Sequence, residues 1–425
     1  MMKFINKYLC VYSLTAFCFL SPDVSAKDYP INSFGAKGDG KTLNTEAIQS
    51  AVDAAHKDGG GTVVVPKGVF ITGAIFMKPG VNLHLEEEGV LKGSTDMENY
   101  PKKSIRIEGH FEENYSSGLI NAEKCDGLRI TGKGVLNGNG RPVWDKFWKL
   151  RRAAEDYKNF RNLSILRAQL CIINNSDNVH IEGVTFKDSQ FWNLHIYNCR
   201  NVTIKDARFL VPDDYEQAPS TDGIDVDSSQ NVKITGCYFS ITDDCIAMKG
   251  TWGQFALDDK ESMPVTNVHI SNCTFKRGHA AVTCGSDAST ARNILVEDCE
   301  VLSKMSLLCL KLRKDTPQRY ENITIQNINV QNNKISIFSV QPWGQYINMQ
   351  GLPEPISYVK NIYVSGIKGT IEKLGTIEGN QKTEFGRIIL EDVNVKAQTD
   401  KFDVSDQIKE LTLQNVTVNG AAVQH

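Results

Sequence analysis

A chain of 425 residues, 41% hydrophobic and 23% charged, without a low-complexity run, suits a large folded body and excludes a disordered or fibrous one. Its net charge of -3 gives no electrostatic reason for a nucleic-acid partner. Beyond the first 26 residues no stretch is apolar enough to span a bilayer.

In chain order, Lys3 and Lys7 precede an apolar run from Tyr8 to Leu20, and Val24-Ser25-Ala26 follows as a signal-peptidase site. Residues 1–26 are therefore expected to be a signal peptide, with the mature chain 27–425 exported to the periplasm or outside the cell. Cys18 follows Phe17, where a lipid-anchored protein needs a small residue. Next, Thr45 to Lys57 has the pattern of a helix: Asn44 suits the N-cap, and Ala47, Ile48, Ala51, Val52, Ala54 and Ala55 share one face.

From Asn178 onward a nine-residue phrase, Asn-Val-x-Ile-x-x-x-x-Phe, recurs with variations. Copies begin at Asn178, Asn201, Asn231, Asn267, Asn293, Asn322 and Asn361, in steps of 23 to 39 residues. Alternating β-branched residues with polar or Gly residues between them describe one coil of short strands per repeat. The seventh position holds Val184, Ala207, Cys237, Cys273, Cys299, Ile328 and Ile367, always small or apolar, so it faces the interior. Coils stacked at strand spacing, roughly 4.8 Å, would turn each such position into a continuous ladder. The expected fold is all-β, a single-stranded parallel β-helix capped by the N-terminal helix, in one domain because a solenoid grows without starting a new core.

Removing Cys10 and Cys18 with the leader leaves nine cysteines, an odd number in an exported chain. Three of them share the interior ladder position, where parallel Cβ vectors disfavour bridging, so they are read as small core residues. No Cys and His spacing resembles a zinc site, and neither metal nor cofactor is expected.

The chemistry lies in the gaps between copies. Ser220-Thr221-Asp222-Gly223 precedes the Asn231 copy and Thr242-Asp243-Asp244-Cys245 follows it; Arg277-Gly278-His279-Ala280 follows the Asn267 copy, and Leu310-Lys311-Leu312-Arg313 the Asn293 copy. Asp243 is twelve residues past Asn231 and His279 twelve past Asn267, so both have one azimuth on adjacent coils. Asp222 precedes its strand as Asp244 precedes the next. Lys311 and Arg313 point to one side of their strand. An Asp-Asp pair is ordinarily a solvated turn, and two basic residues a solvated face. The shared azimuth is what gathers three carboxylates, an imidazole and two cations into one patch. Asp227 more simply ends its strand, Asp225 is either a site residue or a turn partner, and Lys249 is similarly open.

In these motifs, taken in order on successive coils, the sequence resembles glycoside hydrolase family 28, the polygalacturonases and related pectin hydrolases, whose pattern is Asn-Thr-Asp, Asp-Asp, Gly-His-Gly and Arg-Ile-Lys. The resemblance begins at Phe34-Gly35-Ala36-Lys37-Gly38-Asp39-Gly40 and runs through the Gln341 region. It implies a right-handed helix and a secreted enzyme cleaving α-galacturonosidic bonds, with Asp243 as general acid and Asp222 and Asp244 activating water. His279 would help set the acid's protonation, and Lys311 with Arg313 would clamp a uronate carboxylate. Inversion would require acid and base carboxyls roughly 6.5–9.5 Å apart.

Four departures bear on the sugar. Ser220 replaces Asn, Ala280 replaces Gly, Lys311 and Arg313 exchange the family's basic residues, and Trp343 stands near a sugar-contacting Tyr, where it either stacks on a ring or packs beneath a loop. Arg141 to Arg167 is an insert with Trp144, Trp148, Arg151 and Arg152 that either walls the groove or packs as an amphipathic helix. Arg167 falls near an Arg of the sugar subsites in exo-acting relatives. Further inserts at Val211 to Pro219, Thr251 to Pro264 and Trp343 to Pro355 favour a groove closed at one end and exo action. The expected partner is a pectic polysaccharide or oligosaccharide containing galacturonate, met by a monomer. Rivals are a rhamnogalacturonan galacturonohydrolase, a calcium-dependent pectate lyase and a non-catalytic carbohydrate-binding helix.

Overall fold

The computed structural model describes residues 27–157 and 160–423; the expected signal peptide lies outside them. The chain is a right-handed parallel β-helix. One long sheet of 25 strands wraps two sides of the stack, and a second, of eleven parallel strands, forms the remaining face. The order in that second sheet follows the chain, from Ile75–Phe76 through Ile224–Asp227, Ile246–Lys249, Ala280–Cys284 and Met305–Arg313 to Phe402–Val404.

Each position of the repeated phrase has its own physical task. The leading Asn of every copy is left-handed, with φ between 56° and 59° in all seven. Asn tolerates that region better than other residues with a Cβ. Its amide then donates to the Asn one coil earlier, from Asn201 to Asn178 at 3.2 Å through Asn361 to Asn322 at 2.9 Å, so the turns are stitched along the stack. Positions two, four and seven are buried, including Cys237, Cys273 and Cys299. The final Phe of four copies, Phe186, Phe209, Phe239 and Phe275, forms a column with centroids 4.9 to 5.3 Å apart. All nine cysteines of the described residues are free and buried.

Helix α1, Thr45–Lys57, caps the N-terminal end through Ile48, Ala51, Val52 and Ala55. Asn44 stands at the N-cap position, but its side chain does not cap the helix. Its Oδ1 accepts from the Lys37 amide at 2.7 Å, and its Nδ2 donates to the carbonyl of Thr42 at 2.7 Å, tying the preceding loop instead. At the other end, Thr417–Val418 folds back on Ala421–Ala422 as an antiparallel pair, which ends the parallel stack.

The insert is mainly helix α2, Arg141–Ala153. Val143, Trp144 and Phe147 are buried against the solenoid, and Trp144 donates to the Ser189 carbonyl at 2.9 Å. Its amphipathic packing and its place at the groove's rim prove compatible, because Trp148 and Arg151 line a pocket that reaches Asp243.

Candidate active site

The eleven-stranded sheet sets the register that builds the site. Ile224 pairs with Ile246, and Ile246 with Val282. Two residues earlier the alignment persists: the Gly223 amide donates to the Asp244 carbonyl at 3.0 Å, the Cys245 amide to Ala280 at 2.8 Å, and the His279 amide to Asp243 at 2.9 Å. Asp222, Asp244 and Ala280 therefore stand at one azimuth, with Asp243 and His279 together beside them. Gly278 permits this stacking, since a Cβ there would lie 2.5 Å from the Cys245 sulfur and 3.1 Å from the Asp243 carbonyl oxygen. Ala280 is fully buried, so its methyl group faces the protein and not the groove.

One oxygen from each of Asp222, Asp243 and Asp244 lies within 4.8 Å of the others. Asp244 is buried; its Oδ1 meets His279 Nδ1 at 2.8 Å and its Oδ2 meets Lys311 Nζ at 2.7 Å. Burial acts to raise its pKa, but Lys311, then the His279 hydrogen bond, outweighs it and holds the group well below the ordinary carboxylate range. The same hydrogen bond raises the His279 pKa. Asp222 is buried too, and burial followed by the charge of Asp243 pushes it up to about 7. Burial and crowding thus favour the neutral form of Asp222, as burial and the Asp222 charge do for the neighbouring Asp225. Asp243, partly buried, is the carboxylate that lines both the main cavity and the neighbouring pocket beneath α2.

These three aspartates form the one group with spacing suited to a cation among the described residues. Two ammonium groups already face it, Lys311 on Asp244 and Lys249 at 3.4 Å from Asp222, so the donor set is neutralised from within.

Lys249 is the main site residue that the motifs left undecided. It is buried over the Trp192 ring, and its Nζ lies 3.4 Å from Asp222, 3.6 Å from Asp225 and 3.9 Å from Asp287. Asp225 is accordingly an internal partner of Lys249. Asp227 does more than end its strand, since it is buried against Arg106 at 3.2 Å and His195 at 3.3 Å. Trp192 lines the cavity two residues before its strand, the offset of Asp222 and Asp244, and this offset was its signal. Trp252, Asp287 and Glu108 also line it but lie outside the repeat.

The expected clamp is different in detail. Lys311 is engaged by Asp244 and lies 4.9 Å from the Trp343 ring centroid, which places Trp343 in the cavity wall. Arg313 is almost fully buried, holding Asp315 through two bonds of 2.9 Å and the carbonyls of Gln345 and Tyr346 at 3.0 and 3.2 Å. It fixes the loop after Trp343 instead of offering a free fork to a carboxylate. Arg167 also moves beneath the surface: it is fully buried between the Phe147 and Phe191 rings, donating to Pro219 at 2.7 Å and to Ser220 Oγ at 3.2 Å. Ser220 lines the cavity and Arg167 supports it from below.

The cavity over this cluster is about 260 Å³, smaller than the usual range of ligand pockets and suited to one small polar ring. One end is bounded by the hairpin of Lys102–Ile107 and His110–Ser116, by Trp252, and by the Gln345-Tyr346 loop, which also border a separate depression of about 620 Å³ against Gly109, His110 and Arg161. Tyr346 also donates to the Phe160 carbonyl at 3.1 Å, linking that loop to the insert. On the opposite side, beyond His279, a wider depression of about 710 Å³ opens past Arg277, Lys304 and Lys334.

Comparison with known proteins agrees with this architecture. A "Probable polygalacturonase" of Vitis vinifera is 25% identical over 373 residues, covering 85% of this chain and 73% of that protein. An "Exopolygalacturonase" of Zea mays is 28% identical over 350 residues, 76% of each. The solved structure of a hyperthermoactive exopolygalacturonase from Thermotoga maritima superposes with a TM-score of 0.76 at 23% identity, covering 93% of both chains, a likeness of fold. The sequence model described as "Glycosyl hydrolases family 28" matches residues 60–422, and the chain belongs to that family.

Proposed function

We propose that this glycoside hydrolase cleaves α-galacturonosidic linkages of pectin from a chain end, by general acid/base attack of water and with inversion. The observation that carries the reading is the group Asp222, Asp243 and Asp244, with one oxygen of each within 4.8 Å of the others, in a cavity bounded on one side by the hairpin and the Gln345-Tyr346 loop. The exopolygalacturonase of Zea mays supports the substrate class and the exo mode.

Asp243, facing the side where the chain continues, protonates the glycosidic oxygen. Asp222 and Asp244 hold the attacking water and take its proton, Asp222 doing so in its ionised form. The nearest oxygens of these carboxylates lie within 4.8 Å of one another, an approach that makes a retaining path, with carboxyls roughly 5–5.5 Å apart, the alternative to weigh. A retaining path, however, needs a free carboxylate nucleophile. Both Asp244 oxygens are engaged by His279 and Lys311, and Asp222 is pushed towards its neutral form. Inversion with one water wedged between the carboxylates fits these engagements better, and the anomer first formed, read by proton NMR, decides between the two.

Purified protein and its Asp243→Asn variant, incubated with polygalacturonate and a panel of defined pectic oligosaccharides, provide the main test. Release of single galacturonate units by the wild type alone supports the proposal, and the panel separates homogalacturonan from rhamnogalacturonan ends. Equal release by both proteins would sink the hydrolase reading. An unsaturated, ultraviolet-absorbing product abolished by a chelator would instead identify a lyase. Export through residues 1–26 belongs to the same proposal. Among the described residues, no helix is long and apolar enough to cross a membrane.

A further inference from the structure

Exo action requires some group at the closed end that tells a terminal sugar from an internal one. In a linear chain an internal unit carries a glycosidic oxygen where the terminal unit carries a hydroxyl. An ether oxygen only accepts a hydrogen bond, whereas a hydroxyl also donates. The discriminating group is therefore an acceptor without a donor of its own, rigidly placed at the walled end.

Glu108 has these properties. It lies at the tip of the hairpin that walls the cavity and is one of the cavity-lining residues. Its backbone carbonyl is engaged, but among the described residues its carboxylate has neither a hydrogen-bond nor an ion-pair partner. The nearby Lys249 ammonium is already shared among Asp222, Asp225 and Asp287. Burial, then the charge of Asp287, pushes the Glu108 carboxyl up to about 7, so it is an acceptor without a donor above that pH, where the oligomers are to be compared.

The hairpin tip is held in place. Trp252 Nε1 donates to the Glu108 carbonyl at 2.8 Å and Thr251 Oγ1 to the Gly109 carbonyl at 3.0 Å. A Cβ on Gly109 would lie 2.5 Å from the Trp252 ring, so the two loops touch backbone to ring. Two residues earlier, Arg106 is buried against Asp227 at 3.2 Å and the Gly250 carbonyl at 2.7 Å. These contacts impose φ of 47° on Glu108, a conformation uncommon for Glu. Such backbone strain concentrates at ligand clamps. Beside it, Asp287 adds a second negative charge, so a further uronate placed past this end would meet like charge.

We propose that Glu108 accepts a hydrogen bond from the free hydroxyl of the non-reducing terminal sugar, at the position glycosylated in internal units, and so makes the cavity select chain ends. The inference rests on the exo-acting hydrolase reading given above. It also assigns the hairpin, which lies outside the repeat and its motifs, a part in specificity.

The test compares two oligogalacturonates of equal length, one saturated and one made by eliminative cleavage, whose 4,5-unsaturated terminal ring lacks that hydroxyl. Wild-type kcat/KM should favour the saturated oligomer by about 100-fold or more, since a site built to bind a hydroxyl rejects the analogue without it. In Glu108→Ala and Glu108→Gly the preference should shrink to less than about 10-fold, through a rise in KM for the saturated oligomer. Gly tolerates the φ of this position, and each ratio is taken on one preparation, so loss of folded protein cancels. A wild type that treats both oligomers alike, or variants that keep the full preference, would overturn the inference while leaving the hydrolase intact. No galacturonate from the saturated oligomer would mean that the hydrolase reading itself has failed.

Discussion

His279 Nδ1 lies 2.8 Å from Asp244 Oδ1 across adjacent coils, and Lys311 Nζ takes the second oxygen of the same carboxylate at 2.7 Å from the coil beyond. Asp244 is therefore a structural keystone as well as a candidate base. Asp244→Asn removes the charge that compensates a buried Lys311, and breaking a buried pair in this way costs about 3–5 kcal/mol. The variant should lose activity and melt markedly lower than wild type. Asp243→Asn, at a partly buried position whose Oδ1 accepts, among the described residues, only the Asp244 amide at 3.0 Å, should lose activity with little change in melting temperature. Equal melting shifts for the two variants, measured by differential scanning calorimetry, would contradict this difference.

The roles of acid and base separate by leaving group. An acid is needed only when the departing oxygen is a poor leaving group, so Asp243→Asn should recover most of its rate on an aryl galacturonide with an acidic phenol. Asp222→Asn and Asp244→Asn should not recover, because water still needs its proton removed. If the aryl substrate rescues Asp222→Asn and not Asp243→Asn, the assignment is reversed, in keeping with the proton that the raised Asp222 carboxyl retains below pH 7.

That proton also makes stability depend on pH. The Asp222 carboxyl is raised to about 7 by burial first and Asp243 second, against roughly 3.9 in an unfolded chain. Between these values the folded protein keeps a proton that the unfolded chain has released, so the contribution of Asp222 to stability declines as pH rises through this window and levels off above 7. Asp222→Asn removes the titration, while Lys249 keeps Asp225 and Asp287 as partners. Relative to wild type, the variant should gain melting temperature between pH 4 and pH 8. A gap that stays constant over that range would show that Asp222 does not hold the proton. With Asp222 as a base, wild-type kcat/KM should rise with pH as its carboxyl ionises near 7.

What the sequence made legible was whatever the repeat controls. The offset of twelve residues from Asn231 to Asp243 and from Asn267 to His279 became a backbone hydrogen bond of 2.9 Å between those two residues. The ladder position of the cysteines became a buried column. What escaped lies where the repeat gives no register. Arg167 and Arg313 are matched to the site by position along the chain, but only packing shows that their guanidinium groups are consumed internally, one between two Phe rings and one by Asp315. Lys249 shares its strand face with Asp225 and Asp227 in the coil below, a pattern visible in the register but with a meaning that depends on three-dimensional charge. Glu108 belongs to an antiparallel hairpin whose landing point no periodicity specifies.

Gly278 offers the sharpest test of how the stack positions the chemistry. It immediately precedes His279, and its missing side chain leaves room for the Cys245 sulfur, 2.5 Å from where a Cβ would be, and for the Asp243 carbonyl oxygen, 3.1 Å away. Gly278→Ala should push the Asp243 strand and the His279 strand apart, lowering activity by about 100-fold, the scale on which a 1 Å misplacement acts. The sulfur is the nearer obstacle, so Cys245→Ala in the same chain should relieve most of the clash. Cys245→Ala alone creates only a small void, worth about 1 kcal/mol. The double variant should therefore be more active than Gly278→Ala, a positive coupling between two residues that touch. If the double variant is as inactive as Gly278→Ala, the approach of the Asp243 carbonyl, and not the cysteine, is what demands glycine at this position.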